Sequence, residues 1–329
     1  MKKVFKTILI IVLVLVIVGV GGCAVIMYKS NDQKVNYYKY ATPVGEIETK
    51  YTALGTYKVS TAEYDSGNET YGKYLIWYPS EMKDGNATYP IVIIANGTGS
   101  KASTYKEIYN HLASWGFIVV GNEDEDSRTS ASSAATLDFI LKLNQDANSD
   151  FYGKVDTDNI GITGHSQGGV GAINAVTEQA NGGMYKAIFA LSVTSRYHAD
   201  ELNKKADGWS CDPSKITIPC FMTAGTGTFD AGNMSEYTSS LADGEAQGIC
   251  PLWWLNECYD AMPDDMDKIT AIHKDSDHGD IQYKADGYMT AWFMYYLKGD
   301  TEAGNAFFGD DAEILSNTNW QNQKSNQHN

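Results

Sequence analysis

The sequence predicts an α/β protein: a doubly wound, mostly parallel sheet with lid-like insertions, preceded by an N-terminal membrane helix. Three observations carry that prediction. Short, continuous apolar runs of the kind that form buried strands alternate with longer helical stretches. A serine between glycines, in "NIGITGHSQGGVGAINAV" (residues 159–176), sits where one such strand passes into one such helix. An uncharged, mostly aliphatic run follows Lys2, Lys3 and Lys6 at the start of the chain.

Taken in order, the N-terminal run from Thr7 to Tyr28 spans about 33 Å as a helix, enough to cross a bilayer. Its basic start predicts a cytoplasmic N-terminus and places everything after Lys29 outside. Val20-Gly21-Gly22-Cys23 also resembles a bacterial lipobox, in which Cys23 is lipidated and becomes the new N-terminus. The apolar "AVIMY" beyond Cys23 suits an uncleaved span better. Either way the chain is tethered to the outer face of a membrane, with residues 1–28 as anchor or lipoprotein signal. Residues 29–50 lack an apolar period and read as a spacer.

A domain is expected over 51–312. "YGKYLIWYP" suits an early antiparallel strand, and "YPIVIIANG" is a buried strand followed by the helical "STYKEIYNHLASWG". "FIVVGN" and the helix "SASSAATLDFILKLNQ" come next, then the strand "NIGITG" running directly into "HSQGGVGAINAVTEQA". "AIFALSV", "ITIPCFMTAG" and "KITAIHK" are further strands, and "ADGYMTAWFMYYLKG" is a terminal helix closed by Gly299. Residues 195–215 and 226–266 interrupt the alternation as insertions at the carboxyl edge, where open α/β sheets bind ligands. Residues 313–329 are polar and read as a frayed tail.

Composition bounds the function. With 43% hydrophobic and 12% aromatic residues the chain is not wholesale disordered, and its net charge of −16 repels nucleic acid. Beyond the anchor stand four cysteines, at 211, 220, 250 and 258. Their even number fits an exported protein, with sequence-local pairs 211–220 and 250–258 expected among three connectivities, and four buried thiols as the alternative. Their spacing does not suit zinc, and no metal or organic cofactor is implied. The run "NEDEDS" reads as a solvated acidic loop, with a Ca²⁺ site as its rival.

Gly164-His165-Ser166-Gln167-Gly168 at a strand-to-helix elbow is the context a nucleophilic serine requires. The serine adopts a strained backbone, its neighbours must be small, and the following helix start favours a developing oxyanion. Of the six histidines, position excludes all but His273 and His278 as a base. His111 lies mid-helix, His165 inside the motif, His198 in an insertion and His328 in the tail.

Over roughly residues 70–300, the order "IVIIANGTGSKASTY", "LASWGFIVVGNED", "VDTDNIGITGHSQGG", "IPCFMTAG", "DSDHGD" resembles the α/β-hydrolase superfamily. Within it, the resemblance is to dienelactone-hydrolase, cutinase-like polyester-hydrolase and chlorophyllase-type esterases. That resemblance implies a chain order of serine, acid, histidine, with Ser166 as nucleophile and His278 of "DSDHGD" as base. It implies an acid after the strand "ITIPCFMTAG": Asp230, about one residue farther along than the family pattern, with Asp200 as the alternative. It implies oxyanion donors at the Gln167 and Thr98 amides, where Asn96-Gly97-Thr98 replaces the usual Pro-Gly-aromatic and so omits an aromatic clamp. Gly99 alternatively serves as a turn into the next helix. Trp253 and Trp254 are candidates either for a substrate pocket or for core packing of their insertion. The function expected is hydrolysis of small or polymeric carboxylic esters. The rivals are acyl transfer by the same triad, peptidase activity and a catalytically silent binding module.

Overall fold

The computed structural model describes residues 32–326. The anchor expected over 1–28 lies outside them, and among the described residues no helix is long and apolar enough to cross a membrane. The described residues fall into two units, divided between Ala41 and Thr42. In the first, a short helix α1 (Tyr37–Tyr40) follows Asn36, whose side chain donates to Asp32 at 2.8 Å.

The second unit is organised by one nine-stranded sheet. The strands are β1 (Val59–Asp65), β2 (Lys73–Pro79), β3 (Tyr89–Ala95), β4 (Ile118–Asn122), β5 (Val155–His165), β6 (Tyr185–Leu191), β7 (Cys220–Gly225), β8 (Lys268–His273) and β9 (Trp320–Ser325). Their spatial order is β1-β2-β4-β3-β5-β6-β7-β8-β9. From β4 to β8 all neighbours run parallel, while β1, β2 and β9 pair antiparallel. The parallel strands read as unbroken apolar runs because helices cover both their faces. Alternation along β5 shows this directly. Ile160 and Ile162 join the core that includes Leu137, Ile140 and Val170 of the helices α4 (Ala131–Gln145) and α5 (Gln167–Thr177). Gly161, of opposite phase, faces Phe293 of α10 (Asp286–Lys298).

Within the described residues the expected strands and helices form, and Gly299 closes α10 in the left-handed conformation (φ 69°). β1 has no counterpart among the sequence-based expectations, because its alternation of intermediate and exposed residues marks an edge strand without a buried face.

Both ends of the domain differ from expectation. The supposed spacer runs into α2 (Glu46–Thr52), which crosses its end at residue 50 and carries buried Glu48 and Tyr51. Within the supposed frayed tail, β9 pairs with β8, and Trp320 is only 2% exposed. The two segments are tied to each other. Glu313 accepts the N–H groups of Ile47 and Glu48 at 2.7 and 2.8 Å, satisfying the free amides of the α2 start. Glu48 in turn accepts from Trp320 Nε1 and Asn317 Nδ2, both at 2.8 Å. These ties are polar and long-range, so no local apolar period announces them.

The cysteines are also corrected. All four are free thiols, three of them buried. Burial pushes the Cys211 thiol up to about 12 and raises the other three well above the ordinary thiol range, so they remain protonated and pack as small apolar groups.

Candidate active site

Every strand from β3 to β8 ends on one edge of the sheet, and the candidate residues gather there. β5 turns into α5 at Ser166, whose backbone adopts φ 61° and ψ −122°. The flanking glycines are required by close approach. A Cβ at Gly168 would stand 2.2 Å from the Ala95 carbonyl oxygen, and one at Gly164 would stand 2.1 Å from that of Gly168. The same closeness lays the end of β3 on the first turn of α5. It brings the Asn96-Gly97-Thr98 turn beside the elbow, where a Cβ at Gly97 would lie 3.2 Å from the His165 carbonyl. Asn96 holds that turn in place, donating to the carbonyls of Asn122 and Asp124 at 2.8 Å each. Thr98 is exposed at its tip, and Gln167 heads α5, where backbone N–H groups lack intrahelical acceptors.

The loop after β8 delivers His278 to this serine, and the helical turn α7 (Thr228–Ala231) after β7 delivers Asp230 to His278. His278 Nε2 lies 3.0 Å from Ser166 Oγ, and Nδ1 lies 2.9 Å from Asp230 Oδ1. A carboxylate oxygen only accepts, so Nδ1 carries the proton and Nε2 is left as the basic nitrogen facing the hydroxyl. Asp230 is fully buried, and its second oxygen accepts from Ser192 Oγ at 2.6 Å and from the Gly225 N–H at 2.7 Å.

The rival candidates fall elsewhere. His273 stacks edge-on against Trp320 at 4.9 Å, and burial pushes its imidazole down to about 4. Asp200 is occupied by the Tyr237 hydroxyl at 3.0 Å. His165, 4.5 Å from His278 ring to ring, is also pushed by burial to about 4 and stays neutral beside the base.

Trp253 and Trp254, each 7% exposed, belong to the hydrophobic core around Cys250 and Cys258. Trp253 donates to Gln247 at 2.8 Å, and the Arg196 guanidinium lies over Tyr237 and Trp253 while bonding Glu257 twice. Core packing is therefore what these tryptophans do, because helix α8 (Leu252–Ala261) turns them inward. "NEDEDS" is less solvated than expected. Asp124 is buried and accepts the Asp126 N–H, while Glu123 accepts from Ser103. Among the described residues no cluster of three or more His, Cys, Asp or Glu side chains is placed to hold a metal ion.

Two residues at the site escaped sequence reasoning. Ser192 lies just past the end of β6 with φ 45°, and its position at the carboxyl end of a buried strand was the available signal. Phe229 is 61% exposed with its ring edge-on to His278 at 5.0 Å, supplying an aromatic surface at the rim that Thr98 does not. No local pattern marks it.

A family model described as PETase, PET hydrolase-like, matches residues 37–195. That stretch holds Thr98, Ser166 and Gln167 and stops before Asp230 and His278. The chain is similar to a bis(hydroxyethyl) terephthalate hydrolase of Streptomyces coelicolor, 30% identical over 127 residues, 37% of this chain and 39% of that protein. It is also similar to cutinase est1 of Thermobifida alba, 29% identical over 119 residues (34% and 38%). A third relative is cutinase 2 of Thermobifida cellulosilytica, 32% identical over 120 residues (34% and 42%). The chain thus spans about two fifths of the length of the curated relatives it matches.

Proposed function

Since the chain belongs to the α/β-hydrolase superfamily, we propose that it is a serine hydrolase that cleaves carboxylic esters through an acyl-enzyme. The observation that carries this is the unbroken line from Asp230 through His278 to Ser166, with contacts of 2.9 and 3.0 Å, at the elbow of β5 and α5. Ser166 Oγ attacks the ester carbonyl carbon while His278 Nε2 takes its proton. The carbonyl oxygen becomes an oxyanion, held by the Gln167 and Thr98 amides and by the start of α5. Collapse breaks the bond to the alcohol, which leaves with the proton from His278, and the acyl group remains on Oγ. A water then repeats the sequence and releases the acid. Asp230 holds the imidazole in the reactive tautomer and stabilises the imidazolium formed in each half.

Small or polymeric esters are the substrate class, supported by the names of the similar proteins and by the exposed Phe229 at the rim. The proposal includes tethering to the outer face of a membrane, through an uncleaved segment 1–28 or through Cys23, supported by the basic start and aliphatic run. An unchanged size when lipoprotein signal peptidase is inhibited favours the anchor; a shift favours Cys23.

The test is hydrolysis of p-nitrophenyl esters, from acetyl to long acyl chains, by the full chain and its Ser166→Ala variant. Turnover should fall by about 10⁴-fold or more in the folded variant. A folded wild-type chain inert toward every ester would overturn the proposal, and acyl transfer to added glycerol in place of water would redirect it.

A further inference from the structure

"DSDHGD" contains a second carboxylate beside the base, and its contacts are not those of an ordinary turn aspartate. Asp277 Oδ1 accepts the backbone N–H of Asp230 and that of His278, each at 2.8 Å. Its Oδ2 accepts the N–H of Phe229 at 3.3 Å. One carboxylate oxygen therefore joins the main chains of two residues that are 48 apart in sequence and must stay in register for the imidazole to meet both partners. Asp277 is itself held, its N–H donating to Asp280 Oδ1 at 2.8 Å. Around it the two loops run together. The Gly227 N–H donates to the Ser276 carbonyl at 2.8 Å and the Asp275 N–H to Thr226 Oγ1 at 3.1 Å.

Room for this latch is made by Gly227. A Cβ there would stand 2.1 Å from Asp277 Cγ. Gly227 has φ −62°, which any residue adopts, so the side chain it lacks would meet the carboxylate and no backbone penalty. Burial by itself raises the Asp277 carboxyl, but the amides of His278, Asp230 and Phe229 outweigh it and hold the group below the usual range.

We infer that Asp277 is a positioning residue for the triad: it sets the distance and angle between Asp230 and His278 by clamping their backbone amides, and touches no substrate. The inference rests on the esterase proposal, and it predicts a loss in the chemical step with binding spared, because small displacements of a catalytic group are costly.

The experiment compares Asp277→Ala, Asp277→Asn and Gly227→Ala in the full chain. Two readouts are taken: kcat and KM on a p-nitrophenyl ester, and the rate at which a fluorophosphonate forms its phosphorus–oxygen bond to Ser166 with release of fluoride. For Asp277→Ala, kcat and the labelling rate should fall about 30- to 100-fold with KM little changed. Asp277→Asn keeps an oxygen for both 2.8 Å bonds and should return to within about fivefold of wild type, since neutral acceptors retain part of a charge-assisted bond. Gly227→Ala should reproduce the loss seen in Asp277→Ala, because its Cβ would stand 2.1 Å from Asp277 Cγ and 2.3 Å from Asp277 Cβ and push the carboxylate off the amides it clamps. Wild-type rates in a folded Asp277→Ala chain overturn the inference, as do equal losses in the alanine and asparagine variants or wild-type rates in folded Gly227→Ala. If Asp277→Ala does not fold, Gly227→Ala and Asp277→Asn decide by the same criteria. A wild-type chain labelled at Ser166 yet inert toward esters sinks the esterase proposal alone, and the labelling rates still decide the role of Asp277.

Discussion

Among the described residues two histidine–aspartate pairs stand in contrast, one at the carboxyl edge of the sheet beside a hydroxyl and one away from it beside two carbonyls. At the carboxyl edge, His278 Nδ1 meets Asp230 at 2.9 Å and Nε2 meets the Ser166 hydroxyl. Away from it, His111 Nδ1 meets Asp286 at 2.8 Å, and Nε2 meets the carbonyls of Thr52 and Ala53 at 3.0 and 2.9 Å. The first two partners are alike; the third decides. A hydroxyl can donate its proton to Nε2, whereas two carbonyls only accept and keep Nε2 protonated. His278 is therefore placed to act as the proposed base, and His111 is a cross-brace between α3 (Lys106–Ser114), the end of α2 and the start of α10. A His–Asp contact identifies neither role by itself.

The comparison can be broken most sharply by deleting each histidine. His278→Ala should cost about 10⁴-fold or more in kcat with the thermal transition nearly unmoved. His111→Ala should do the reverse, leaving kcat per folded molecule near wild type. It removes the ion-pair partner His111 from the fully buried Asp286 carboxylate, so unfolding by urea should show about 3–5 kcal/mol of lost stability. A large kcat loss in folded His111→Ala would erase the distinction.

A finer test is Ser192→Ala, which removes one donor from Asp230 Oδ2 and leaves the His278 contact. It should cost about tenfold in kcat, the size of one hydrogen bond to a charged group, with no change in KM. Unchanged kcat would mean that the Gly225 amide suffices to hold the acid.

The last effect lies in pH. For His111, burial lowers the imidazole, but Asp286 and the two carbonyls together raise it above its ordinary 6.5. Its stabilisation is complete below 6.5 and is lost as pH rises through the folded value. His165 and His273, held by burial at about 4, act oppositely. They stay neutral in the fold and take up protons on unfolding, so stability falls as pH drops from 6.5 toward 4, by at most about 1.4 kcal/mol per histidine per pH unit. Urea midpoints from pH 4 to 9 should fall on both sides. Only the alkaline decline should vanish in His111→Ala.

What the sequence determined by itself is what local pattern encodes. Continuous apolar runs specify strands covered on both faces, helical periods specify the layers over them, and a serine between glycines specifies a tight elbow. Ser166, and with the family's chain order His278 and Asp230, were legible for that reason. Tertiary structure alone decided the remainder. Ser192, Phe229 and Asp277 reach the site by converging from different strand ends. The polar chain of Glu48, Glu313 and Trp320 draws α2 and β9 into the domain across more than 260 residues of sequence. Trp253 and Trp254, aromatic and next to the site in order, turn inward with their helix. Hydrogen bonds between distant segments and the direction a buried side chain faces leave no periodic trace, because they are properties of the folded chain's geometry and not of neighbouring residues.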